Sequence, residues 1–173
     1  MADQSLPLHD EASALVHAPV DRVFGYLDDP RSLSAHMGES SMMMMGSRMA
    51  MELDDKGGRA IGSKIRLYGR MIGIPLSLEE VITERQPPWK KVWETIGTPN
   101  LMVIAQYRMG FQLTPEGGAS LVRVFIQYSL PATPPRSGLG YALGGVYARW
   151  CTKRMANDTA RHFERARGQP QAT

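Results

Sequence analysis

Cysteine occurs once in 173 residues, at Cys151. A lone thiol forms no intramolecular disulfide, so packing must hold the fold. With no basic-apolar-small pattern in the opening Met-Ala-Asp-Gln-Ser-Leu-Pro, the expected setting is the reducing cytoplasm. Long apolar runs are missing too. The densest stretches, Met42 to Met45 and Leu101 to Ala105, fall far short of the roughly 18 residues a spanning helix requires, and no integral membrane segment is expected. The net charge is only +3, and the basic residues are not grouped with aromatic or helical readout elements, so no nucleic-acid partner is expected. His9, His17, His36 and His162 are scattered without metal-ligand spacing, which argues against a metal site. There is no Gly-x-Ser-x-Gly elbow, phosphate loop or dinucleotide fingerprint. Gly57-Gly58 and Gly117-Gly118 follow turn residues rather than opening helices, and no cofactor is implied. Cys151 reads as a small buried apolar residue rather than a nucleophile.

What is present is an ordinary hydrophobic fraction, 43%, in a chain long enough to bury roughly two thirds of its unfolded surface around one core. Ala12 to Val16 reads as a strand. It feeds a short helix through Val20, Val23, Phe24 and Leu27, opened by Pro19 and stopped at Asp28-Asp29-Pro30, with a second short helix expected from Pro30 to Met37. Asp28 and Asp29 read as a turn and helix boundary. From Met42 to Leu130 the period is two, and six strands fit.

In the first of these strands Met43, Met45, Ser47, Met49 and Met51 share the inward parity. In the next, Ile65 and Leu67 face away from Lys64, Arg66, Tyr68 and Arg70. The strand through Leu76, Leu78, Val81 and Ile82 slips parity near Glu79-Glu80, where a bulge is expected. Gln86-Pro87-Pro88 and Gly97-Thr98-Pro99-Asn100 read as hairpin links around a strand from Trp89 to Ile96. The strand from Leu101 to Leu113 places Tyr107, Met109 and Phe111 inside, and Leu121 to Leu130 returns with Val122, Val124, Ile126 and Tyr128 on one face.

A proline-rich break at Pro131, Pro134 and Pro135 precedes a proline-free stretch from Gly138 to Arg167, read as one long helix. Tyr141, Gly144, Gly145, Ala148 and Thr152 line one side of its first half, while Leu139, Leu143, Val146 and Trp150 fill another. Residues 1–167 read as a single domain and residues 168–173 as a disordered tail.

The order of strand, two short helices, six strands and long helix, with Ala18-Pro19, Val23-Phe24, Leu27-Asp28-Asp29, Val81-Ile82-Thr83-Glu84 before Pro87-Pro88, and Trp93-Glu94, resembles the START-like (SRPBCC) superfamily of helix-grip domains. Its polyketide cyclase/dehydrase and lipid-transport branch is the most similar. The resemblance implies an α+β fold, a seven-stranded curved antiparallel sheet wrapped round the C-terminal helix, enclosing a cavity for an apolar ligand. One 30-residue helix, about 45 Å long, covers such a sheet only partly, and Gly144 and Ala148 are expected to widen the tunnel left between.

The candidate ligand-binding set is Met43, Met45, Ser47, Met49, Trp93, Tyr107, Met109, Tyr128, Gly144, Ala148 and Thr152. Thioethers adapt to variable apolar partners, and inward hydroxyls in an apolar pocket orient a ligand through its carbonyl or phenol. Ordinary core filling and bonds to neighbouring side chains are the competing explanations. Three functions fit: binding or transport of a small hydrophobic or aromatic molecule such as a lipid, polyketide or quinone-like compound; cyclase or aromatase action on a poly-β-ketone; or a non-catalytic module that forms a homodimer through outer strand faces. Enzyme chemistry requires a titratable group inside the cavity, and Glu80, Glu94 and His36 are the candidates by position.

Overall fold

A computed structural model describes residues 5–33, 48–71, 74–131 and 139–168. Strand β1 (Leu8–Val16) leads into helices α1 (Val20–Leu27) and α2 (Pro30–Leu33). Six strands follow: β2 (Arg48–Leu53), β3 (Lys64–Met71), β4 (Ile74–Gln86), β5 (Lys90–Asn100), β6 (Tyr107–Glu116) and β7 (Ala119–Tyr128). The chain then enters helix α3 (Leu139–Gly168). All seven strands form one antiparallel sheet in the order β1-β7-β6-β5-β4-β3-β2, so consecutive strands from β2 to β7 are neighbours and the chain crosses only once, between β1 and β2. The two short helices lie at the start of that connection. This is the helix-grip arrangement that the element order implied.

Alternation decides which face is the core. Ile65 and Leu67 on β3, Leu76, Leu78 and Ile82 on β4, Met109, Phe111 and Leu113 on β6, and Val122, Val124 and Ile126 on β7 are all buried, while their neighbours in sequence face outward. Helix α1 adds Val23, Phe24 and Leu27, with the Phe24 ring edge-on to Phe111 at 5.7 Å. Helix α3 packs mainly across β1 and β7, turning Ala148, Thr152, Met155, Thr159 and Phe163 inward. The register of β4 against β5 shifts between Ser77 and Glu79 and again between Ile82 and Glu84, so an irregularity lies beside Glu79-Glu80 as expected, but the expected slip of parity is absent: Leu78, Glu80 and Ile82 stay on one face.

The structure departs from the sequence expectation in ways that bear on the site. Gly97-Thr98-Pro99-Asn100 is not a hairpin link, because β5 runs through it to pair Asn100 with Ser77. The strand expected from Leu101 begins only at Tyr107. Residues 101–106 leave the ladder as an irregular segment, tied back by the Ala105 N–H donating to the Ser129 carbonyl. On α3, Leu143 and Val146 do not fill a packed side. They are 45% and 53% exposed, on the helix face turned from the sheet.

Candidate functional site

Glu80 is an inward carboxyl in the middle of an apolar face. Residues Leu76, Leu78, Glu80 and Ile82 keep strict alternation along β4, and Glu80 is only 6% exposed, opposite Ile65 on β3 and Thr95 on β5. The Tyr107 hydroxyl donates a short hydrogen bond to Glu80 Oε1, and the Trp93 indole N–H also bonds to the carboxyl. No cation among the described residues lies within ion-pair distance of it. Burial therefore dominates, and it pushes the Glu80 carboxyl up to about 7 against the partial relief from Tyr107, Trp93 and the more distant Lys91 charge. Burial and the adjacent Glu80 raise the Tyr107 phenol well above its ordinary value.

Helix α3 closes the site from the other side. Tyr147 and Cys151, one turn apart, hydrogen-bond to each other and both act electrostatically on Tyr107. Burial holds the Cys151 thiol up at about 12, which keeps it protonated and unreactive. Thr95 fixes the phenol's approach: its hydroxyl accepts the Tyr107 N–H at 3.0 Å and donates to the Gln106 side chain, whose amide in turn donates to the Gly97 carbonyl at 2.9 Å. That chain of bonds anchors β6 where it leaves the irregular segment.

A second polar cluster lies where α1 ends. Lys91 is 1% exposed and donates to the Asp28 carbonyl at 2.7 Å, to the Gly58 carbonyl at 3.1 Å and to Asp28 Oδ1 at 3.0 Å, which uses all three ammonium donors. Arg85 adds a two-pronged contact to the same carboxylate, Nε to Oδ1 at 3.1 Å and Nη2 to Oδ2 at 2.8 Å. Burial pushes Asp28 up, but these two cations outweigh it and hold the carboxyl below its ordinary range. Gly58 is positioned by its positive φ of +66°, and a Cβ there would meet Ile65 and Pro30 at 2.9 Å. Asp28 is thus more than a turn residue. It joins α1, the turn before β3, β4 and β5.

Of the residues singled out in the sequence, Trp93 and Tyr107 converge on Glu80. Met109 and Tyr128 face inward and are buried, with Tyr128 directly opposite Tyr107 in the ladder. Ala148 and Thr152 are fully buried on α3, and the Thr152 hydroxyl donates to the Ala148 carbonyl at 3.2 Å within its own helix. Met43, Met45 and Ser47 lie outside the described residues, as do the Met49 side chain and His36. Glu94 faces outward, opposite Arg108.

Gly144 corrects the tunnel argument. A Cβ there would meet the Leu130 side chain and lie 2.8 Å from the Val103 carbonyl oxygen, so this glycine admits the irregular segment to the helix surface rather than leaving open room. Gly144→Leu is therefore expected to lower stability by about 1–3 kcal/mol, measured by urea unfolding, since a backbone oxygen cannot move aside as a side chain can. A variant as stable as wild type would mean the contact is loose.

Sequence reasoning had no sign for Tyr147 or Lys91. Glu80 was detectable by parity with Leu78 and Ile82, although the adjacent apolar pair Val81-Ile82 obscured that signal.

The sequence matches the family model for polyketide cyclase/dehydrase and lipid transport over residues 9–165. The chain belongs to that family. Among solved structures similar to this member of the polyketide cyclase/dehydrase and lipid-transport family is the Zhui aromatase/cyclase from Streptomyces sp. R1128, at 13% identity and a TM-score of 0.69, covering 94% of this chain and 99% of that one. TTHA0849 from Thermus thermophilus is similar at 15% identity and a TM-score of 0.66, with 92% and 99% covered. Ara h 8.0201 gives 10% identity and a TM-score of 0.64, with 91% and 98% covered. At these identities the likeness is one of fold. No curated protein matches the sequence significantly.

Proposed function

We propose that this family member binds a small hydrophobic or aromatic molecule, of lipid, polyketide or quinone-like character, between the sheet and α3, with Glu80 and Tyr107 holding its polar end. One observation carries the reading. A carboxyl and a phenol are bonded to each other deep on the apolar face, in no ion pair among the described residues, where two apolar side chains would stabilise the fold better.

Native mass spectrometry of protein purified from its own host tests the reading directly. A co-purifying apolar molecule is expected, and protein that is consistently empty and takes up no apolar probe opposes the proposal. With a ligand in hand, Tyr107→Phe is expected to keep the fold and lose about 0.5–1.5 kcal/mol of affinity by isothermal titration, the net value of one hydrogen bond. Equal affinity in the two proteins would make Tyr107 a structural residue.

A cyclase or aromatase reading is favoured by one further feature. A carboxyl pushed up to about 7 can both take and return a proton near neutrality, as aldol closure and dehydration of a poly-β-ketone require. Turnover of such a substrate by wild type and its loss in Glu80→Gln would establish it.

A further inference from the structure

The groups around Glu80 bear on which polar end the site accepts. A carboxylate has about four lone-pair positions, and here Tyr107 and Trp93 fill two, so acceptor capacity remains for a further donor. Among the described residues, the site lacks a free positive charge. Lys91, the cation whose field reaches Glu80, has its three donors committed to Asp28 and Gly58, and Arg85 is committed to Asp28. A ligand carboxylate placed here would meet a second carboxyl with no cation between them, and two such groups in one desolvated site cannot both ionise. A hydroxyl donor meets the unfilled lone pairs without adding charge.

We infer that the site selects ligands whose polar end is a neutral hydroxyl donor, a phenol, enol or alcohol, and rejects the same skeleton carrying a carboxylate, with Glu80 as the residue that discriminates. The inference rests on the binding reading above and adds to it the class of ligand.

The test uses three probes of one skeleton, naphthalene, 2-naphthol and 2-naphthoate, titrated into the intact protein at pH about 8, where 2-naphthol is neutral and Glu80 is mostly ionised. Binding of 2-naphthol at least about ten-fold tighter than 2-naphthoate is expected, with the gap shrinking to under about three-fold in Glu80→Gln. Because that variant can also disturb packing, the wild type is titrated again at pH about 5.5, where Glu80 is protonated and 2-naphthoate is still an anion. The same narrowing is expected there. Among the described residues, the groups facing Glu80 are Trp93 from β5, Tyr107 from β6, and Tyr147 and Cys151 from α3 beyond it, with Lys91 at longer range. Trp93 does not titrate, and Tyr107, Tyr147 and Cys151 are all held above their ordinary values, so none of these four changes charge between the two conditions. Naphthalene that binds while the two polar probes bind equally, or a gap that persists in Glu80→Gln and at the lower pH, overturns the selectivity and leaves the binding reading standing. If none of the three probes binds, the binding reading fails and this inference with it.

Discussion

Replacing Asp28 by alanine is expected to lower folding stability by about 3–5 kcal/mol, a larger effect than Gly144→Leu or Tyr107→Phe should have. The carboxylate is the only anion in contact with Lys91 among the described residues, and Lys91 is one of the most completely buried side chains. Removing it leaves an ammonium facing two carbonyls, and Arg85 keeps only its stacking over the Phe24 ring, 5.5 Å from the centroid, among the described residues. Burial already pulls Lys91 below its ordinary range, and without the Asp28 carboxylate no anion among the described residues offsets that cost, only the two carbonyls. The double variant Asp28→Ala with Lys91→Met should recover most of the loss, because a buried pair removed as a pair leaves no uncompensated charge. Urea unfolding of the four proteins of the cycle measures this. A single-variant loss below about 1 kcal/mol would show that water reaches Lys91 and that the cluster contributes little.

The same cluster shows where sequence reasoning ended. Lys91 and Asp28 are 63 residues apart, and a lysine at an inward position carries no local mark of the partner that makes it tolerable there. Local alternation, by contrast, placed Ile65, Leu67, Val122, Val124 and Ile126 inward without any knowledge of the fold. It erred where tertiary context overrode it. Gly97-Thr98-Pro99-Asn100 has the composition of a turn, yet β5 outruns β6: the β5–β6 register ends at Glu94, while β4 pairs on to Asn100. Proline is tolerated in such an unpaired margin because no partner strand needs its missing N–H. Residues Leu101 to Gln106 have the alternation of a strand, but they break away at the point where the Val103 carbonyl meets Gly144 of α3. In the candidate site, Tyr107 was legible from parity, while its partner Glu80 was legible only as one of three titratable groups, since the apolar pair Val81-Ile82 leaves the parity of β4 ambiguous in the sequence. The hydroxyl expected to await a ligand is bonded to that carboxyl, which moves the polar anchor from a single phenol to a pair.

Glu80→Gln is expected to flatten the pH dependence of stability across the neutral range, and the sign follows from the direction of the Glu80 shift. The folded protein holds the Glu80 proton more tightly than the unfolded chain does, up to about 7 against an ordinary value of 4.5. Between those values the folded state binds more protons, so stability falls as pH rises and is lowest once Glu80 is ionised in both states. At 1.36 kcal/mol for each pKa unit, the wild type should lose up to about 3 kcal/mol between pH about 5 and 8. Partners hold Asp28 and Glu79 below the ordinary range, so their stabilisation is lost only as pH falls through those lower values. Glutamine keeps an acceptor for Tyr107 and Trp93 but cannot ionise, and the difference between the two proteins isolates Glu80 from every group they share. Urea unfolding at pH intervals should give profiles that converge near pH 5 and separate by pH 8, with the variant the more stable there. Parallel profiles would mean that Glu80 stays ionised throughout, hydrated or paired with a cation, and the basis for discriminating hydroxyl from carboxylate ligands would go with it.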